Sequence, residues 1–97
     1  MATEQSNFLK LVDAAIERGC IISVNDGGDI PVKRSRDRAA ILEAANAVGE
    51  ATLIVRYGNG VLAGTIMIVW GNSPEELFAD FSDNAFIGDL VDRAVRA

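Results

Sequence analysis

The first part of the chain repeats apolar positions with the period of an α-helix. Between Ser6 and Arg18 the apolar side chains recur at three- and four-residue spacing, which places them on one face. These positions are Phe8, Leu11, Val12, Ala15 and Ile16. Ser6 is a suitable N-cap, and Gly19 suits the left-handed residue that ends many helices. The pattern predicts a first helix over residues 6–18.

A β-hairpin is predicted next. Cys20–Val24 is apolar and largely β-branched, and Asn25–Asp29 is rich in residues that tolerate a positive φ. The return strand is predicted at Ile30–Lys33. Because Pro31 has no N–H to donate to a ladder, this strand is expected at a sheet edge.

The next segment returns to helical spacing. We predict a second helix from Ser35 to about Val48, with Asp37 near its positive N-terminal end and Gly49 after its last turn. Its apolar stripe comprises Ala40, Ile41, Ala44, Ala45 and Val48.

A second hairpin follows, and its return strand is apolar on both faces. Ala51–Tyr57 and Val61–Trp70 flank a Gly58–Gly60 turn. Strands that are apolar on both faces are normally covered on both. The helices are therefore predicted either to split across the sheet or to cover one face and leave the other for a second copy.

The last third of the sequence is typical of two helices. Ser73, Pro74 and Glu76 fit the N-cap, N1 and N3 positions of a capping box, so a short helix is expected to end near Asp80 or Phe81. A final helix, capped by Asp83 or Asn84, would carry a stripe of Ile87, Leu90, Val91, Ala94 and Val95. The predicted fold is a single α+β domain over residues 1–97, in the order α-β-β-α-β-β-α-α. Its two hairpins would form a mostly antiparallel four-stranded sheet packed against the helices.

Composition narrows the function classes. The chain has 97 residues, 49% of them hydrophobic, and a net charge of −5 without histidine. This apolar content excludes intrinsic disorder, and the negative charge disfavours direct nucleic-acid binding. The lack of histidine removes the commonest general base and metal ligand, so we expect a non-enzymatic protein with no catalytic residue, metal or cofactor. No apolar run is long enough to cross a membrane.

The single cysteine adds a prediction about compartment. A chain this small in an oxidising environment would usually carry several disulfides, so Cys20 alone indicates a reducing cytoplasm. Cys20 lies in an apolar run and is expected to be a buried structural thiol.

Basic residues cluster at the start of the second predicted helix. There the helix dipole and unpaired N–H groups already favour an anion. One interpretation is therefore an anion-binding site, and the other is a solvated turn. The residues of this candidate site are Arg34, Ser35, Arg36 and Arg38.

Acidic residues gather late in the chain. They are Glu75, Glu76, Asp80, Asp83, Asp89 and Asp92. An ordinary solubilising surface and a mimic of the nucleic-acid backbone that inhibits a host enzyme are both open interpretations. A metal site is disfavoured because the spacing follows no known cation-binding loop.

The leading hypothesis is a protein-binding or self-associating module. Its interaction surface is expected on the second apolar face of the return strand or in the segment that follows. The candidate partner-binding residues are Met67, Val69, Trp70, Glu75, Glu76, Asp80 and Asp83.

Three stretches carry a family resemblance over about residues 20–84. They are Val24–Gly28 leading to Val32–Ser35, then Trp70–Glu76, then Ala79–Asn84. Together they resemble small acidic uncharacterised proteins encoded by bacteria, phages and plasmids. The resemblance implies an accessory role in a bacterial or phage cytoplasm and supplies no catalytic residue.

Overall fold

Three α-helices and five β-strands make up the part of the chain that the computed structural model describes, residues 3–96 apart from the side chain of Arg96. The helices are α1 (Glu4–Glu17), α2 (Arg38–Asn46) and α3 (Ala85–Arg96). The strands are β1 (Ile21–Asn25), β2 (Val32–Ser35), β3 (Glu50–Arg56), β4 (Leu62–Val69) and β5 (Phe78–Phe81), with a 3-10 turn at Pro74–Glu76. The α+β class is confirmed, whereas the predicted four strands and two C-terminal helices are wrong.

The strands form one antiparallel sheet in the order β2-β1-β3-β4-β5. Both predicted hairpins are present, and β2 lies at an edge, as Pro31 predicts. Leu53 of β3 opposes Ile66 of β4, and Val55 opposes Ile22 of β1. This register puts the aliphatic side chains of the three central strands on the same face.

All three helices pack against that face. Alternate residues of β1, β3 and β4 are buried with the helix stripes in one hydrophobic core. The largest fully buried side chains include Phe8, Leu11, Ile22, Ile41, Leu53, Ile66, Ile68, Ile87 and Leu90. The helices therefore do not split across the two faces of the sheet but cover one of them, and the pairing of the other face with a second copy stays a prediction.

Helix α1 begins earlier than predicted. Thr3, not Ser6, is the N-cap, and its side chain accepts a hydrogen bond of 3.0 Å from the Ser6 amide. Ser6 occupies position N3 and accepts in return from the Thr3 amide, which completes a capping box. Gly19 follows the helix with φ of +80°, as predicted for the left-handed residue.

The return strand of the first hairpin and helix α2 both begin later in the chain than predicted. Residues 32–35 rather than 30–33 pair with β1, so Ser35 belongs to a strand. Asp37 is the N-cap of α2 and accepts from the amides of Ala39 and Ala40. The carboxylate of Asp37 therefore caps α2, which begins at Arg38 rather than at Ser35.

The predicted helix after Ser73 is wrong. The Ser73 side chain makes no capping hydrogen bond, and the helical segment stops after the 3-10 turn. Leu77 and Phe78 are buried instead, and residues 78–81 pair with the open edge of β4. Ladder pairing and burial here outweigh a local helix-start signal.

Candidate interaction surface on the sheet

The sheet face opposite the helices is uncovered in the part of the chain that the structure describes. We call it the open face. Its residues alternate with those that face the helices along β1, β3 and β4, with one contribution from β5, and all of them except the buried Ser23 are exposed or half-buried. They are Ile21, Ser23, Asn25, Glu50, Thr52, Ile54, Arg56, Leu62, Thr65, Met67, Val69 and Asp80.

The middle of the open face mixes aliphatic side chains with small hydroxyls. Ile54 lies between Ser23 and Thr65, and Thr52 lies beside Met67. Met67 is 37% exposed and Leu62 is 53% exposed. Such a surface suits contact with another folded surface, because β-branched and aliphatic side chains can be buried there without leaving a buried charge unpaired.

Opposite charges occupy the two ends of the open face. Glu50 begins β3 and Arg56 ends it, six residues away and roughly 20 Å along the strand. Asp80 lies opposite Met67, toward the Glu50 end. Both carboxylates are exposed, so one half of the face is acidic and the other half is basic.

Two shallow depressions lie in the acidic half and share Thr52 and Met67. One has a volume of about 280 Å³ and includes Glu50 and Asp26. The other has a volume of about 320 Å³ and includes Asp80. Each places a carboxylate beside a cavity wide enough for a side chain from another molecule.

The turn around Asp26 donates hydrogen bonds to its carboxylate and so favours the charged form. Its carboxylate accepts hydrogen bonds from the amides of Asp29 and Gly28, at 2.8 Å and 3.1 Å. These hydrogen bonds hold the pKa of Asp26 below its ordinary value. Asp26 therefore adds to the negative charge of the acidic half at neutral pH.

The predicted partner-binding residues do not all lie on one surface. Met67, Val69 and Asp80 lie on the open face. Trp70 does not, because its ring packs on Phe8 with centroids 5.4 Å apart. The remaining predicted residues lie in the exposed 3-10 turn or in the loop before α3: Glu75, Glu76 and Asp83.

The late acidic residues do not share one surface. Asp80 lies on the open face, whereas Asp89 is in α3 and pairs with Arg18 at 3.1 Å and with Arg93 at 2.9 Å. Asp92 is also in α3, whereas Glu75 and Glu76 lie in the 3-10 turn and Asp83 lies in the loop before α3. A nucleic-acid mimic needs its carboxylates on one face, so this arrangement gives that interpretation no support.

The fold also separates the side chains of the candidate anion-binding site at the start of α2. Arg38 binds Asp13 through two hydrogen bonds of 2.8 Å and 2.9 Å. The Ser35 hydroxyl accepts from the Asp37 amide. Arg34 and Arg36 instead extend toward the turn between β3 and β4.

Arg56 was missed by the sequence interpretation. It stands alone among apolar residues in β3, so no local charge cluster marks it. The alternation of Thr52, Ile54 and Arg56 was visible and placed them on one side of the strand. In the fold, this side of β3 belongs to the open face, which no helix covers in the described part of the chain.

Cys20 is fully buried, as predicted. Burial raises the pKa of its thiol, and the positive charges of Arg18 and Arg36 offset only part of that effect. Within residues 3–96, no three His, Cys, Asp or Glu side chains are grouped so that they could hold a metal ion. No helix in the same range combines the length and apolar character needed to cross a membrane.

Comparison with protein-family models, with curated proteins and with solved structures finds no match for this chain.

Proposed function

We propose that this protein is a non-enzymatic interaction module that pairs with a second copy of itself through the open face. The observation that carries the proposal is the distribution of the helices, all on one side of a sheet whose other side exposes Met67 and Leu62. Contiguous apolar surface is rare on a soluble monomer unless something covers it. An accessory role in a bacterial or phage cytoplasm, suggested by the sequence resemblance, belongs to the same proposal.

The size of the open face sets the strength expected of self-association. The three strands that supply nearly all of it, spaced about 4.8 Å apart and averaging roughly 23 Å in length, give a face of about 350 Å². Two such faces would bury about 700 Å² in total, which is the size of a weak, transient interface. We therefore expect a dimer that dissociates in the micromolar range or above.

The charges on the open face select one arrangement of the two copies. A two-fold axis lying between the sheets and perpendicular to the strands would place Arg56 of one copy over Glu50 of the other, twice. An axis parallel to the strands would instead set Arg56 against Arg56 and Glu50 against Glu50. Electrostatic complementarity favours the perpendicular axis.

Sedimentation velocity from 1 to 200 µM tests the proposal. Met67→Glu puts a carboxylate among the aliphatic groups that the dimer would remove from water, and this desolvation cost should shift the dissociation constant upward at least tenfold. Ile30→Glu is the matched control, because Ile30 is 40% exposed against 37% for Met67 but lies in the loop between β1 and β2. Circular dichroism should show that both variants fold.

A wild-type chain that stays monomeric at every concentration would overturn self-association. The same holds if Ile30→Glu weakens the dimer as much as Met67→Glu does, since the interface would then lie elsewhere.

A further inference from the structure

Three arginine side chains, two from the end of β2 and the residue after it and one from β3, converge on the turn between β3 and β4. Arg56 Nη1 donates a hydrogen bond of 3.1 Å to the Gly60 carbonyl. A β-carbon built on Gly60 would lie 3.6 Å from Arg34 Nη1, and one built on Gly58 would lie 3.3 Å from Arg36 Nη2. We call Arg34, Arg36 and Arg56 the arginine cluster.

The arginine cluster has no carboxylate partner among the described residues. In contrast, Arg18, Arg38 and Arg93 all form ion pairs. In a chain with a net charge of −5, three neighbouring cations without a partner are unusual. Their mutual repulsion favours any anion that binds between them.

The backbone at Arg34 is held in a conformation that arginine rarely adopts. Its φ is 47°, and it is the one non-glycine residue with a positive φ among those described. The pairing of β1 with β2 shifts between Ile22 and Val24, so Lys33 and Arg34 both oppose Ser23. This is a β-bulge, and bulges commonly redirect a side chain near a functional site.

A hydrogen bond to the Ser23 hydroxyl stabilises the bulge. The Ser23 hydroxyl accepts from the Arg34 amide at 2.9 Å. A left-handed backbone is unfavourable for any residue with a β-carbon, so glycine would be the less strained choice at position 34. The position nevertheless carries a guanidinium, which the bulge brings to the turn beside Arg56.

We propose that the arginine cluster binds the phosphate groups of a small diphosphate- or triphosphate-bearing ligand. The Arg34 guanidinium makes no hydrogen bond within the described residues, so its planar fork is available for bidentate contact with phosphate oxygens. Arg36 donates through Nη2 to the Gly19 carbonyl at 2.9 Å and through Nε to the Cys20 carbonyl at 3.4 Å, which leaves Nη1 for the ligand. Long nucleic acids do not fit this site, because the acidic remainder of the chain would repel their other phosphates.

This site shares Arg56 with the proposed dimer, so phosphate binding has to be tested on a chain that does not dimerise through the open face. Its test therefore uses the Met67→Glu chain, in which the open face is blocked whether or not the wild type dimerises. Failure of phosphate binding and failure of self-association are then observed in different experiments.

Two-dimensional NMR of the arginine Nε–Hε groups follows titrations with pyrophosphate and, separately, with a nucleoside triphosphate at constant ionic strength. We expect saturable shifts at the arginine cluster with a dissociation constant below 1 mM. Arg34→Gly should weaken binding at least tenfold and raise the melting temperature of the ligand-free protein. Arg93→Gln, which removes the same charge from α3, should change the affinity less than twofold.

Equal affinity for the two probes supports recognition of phosphate groups alone, and tighter binding of the nucleoside triphosphate supports added contacts to the nucleoside. Three results would overturn the proposal: no saturable shifts, equal losses in Arg34→Gly and Arg93→Gln, or tighter binding of a short DNA duplex than of either probe.

Discussion

The indole nitrogen of Trp70 donates a hydrogen bond of 2.9 Å to the carbonyl oxygen of Ala45, in the last turn of α2. Carbonyls in that turn have no partner within the helix, so the indole satisfies one of them. This contact ties the end of β4 to the helical layer.

Trp70→Phe should therefore destabilise the fold without weakening self-association. The variant keeps a ring against Phe8 but leaves the Ala45 carbonyl without its donor, at a cost of about 1–3 kcal/mol. Urea unfolding measures that loss. Tyr57→Phe is the control, because the exposed Tyr57 hydroxyl makes no hydrogen bond among the described residues. A Trp70→Phe chain of normal stability but weaker dimerisation would contradict the structural role.

Two glycine-to-alanine substitutions should change stability in opposite directions. A β-carbon on Gly64 would lie 2.5 Å from Ile87 Cγ1 and 2.9 Å from Ser82 Oγ, so α3 would have to move away from β4. We expect Gly64→Ala to destabilise by about 1–3 kcal/mol. Gly88 lies inside α3 with open space around it, so Gly88→Ala should stabilise by about 0.5–1 kcal/mol. Thermal unfolding separates the two, and a tolerated Gly64→Ala would refute the close approach of α3 to β4.

The buried thiol predicts how stability changes in alkaline solution. Because burial raises the pKa of Cys20 in the folded state, the unfolded chain loses the thiol proton first as pH rises past the ordinary value of 9.0. The free energy of unfolding is unaffected by this group below that pH and declines above it.

Urea unfolding of the wild type and of Cys20→Ala at several pH values between 7 and 10 checks this expectation. The wild type should lose stability more steeply above pH 9 than the variant, which has no thiol to titrate. Parallel curves for the two proteins would show that the thiol is not held in its neutral form.

Local sequence patterns predicted most helices and strands, because these elements depend on interactions between residues that are close in sequence. The helical stripe around Phe8 and Leu11, the left-handed Gly19 and the edge position of the strand after Pro31 all follow from neighbouring residues. The strand at residues 78–81 does not, since its pairing partner β4 lies ten or more residues away. Ser73 and Pro74 give a helix-start signal there that only the tertiary contacts of Leu77 and Phe78 override.

The candidate sites were predictable in part for the same reason. The two apolar faces of β4 left open whether helices cover both of them, and the fold shows that the face with Met67 is the one left uncovered in the described part of the chain. The arginine cluster joins residues 34 and 36 to residue 56 across three strands, so no linear motif contains it. Arg38 is close to Arg34 and Arg36 in sequence, but its side chain pairs with Asp13 on α1.

The central claim is that two copies pair through their open faces with Arg56 over Glu50. Charge reversal tests it most directly. Glu50→Arg and Arg56→Glu chains should each sediment as monomers, because each would set like charges against each other in its own dimer. Mixed in equal amounts, the two variants should form a heterodimer, since position 50 of each chain then meets an opposite charge at position 56 of the other.

Sedimentation velocity of the two variants, alone and mixed at 50 µM, is the deciding measurement. The proposal predicts monomers alone and a dimer in the mixture. Dimers from either variant alone, or a mixture that stays monomeric while the wild type dimerises, would contradict it.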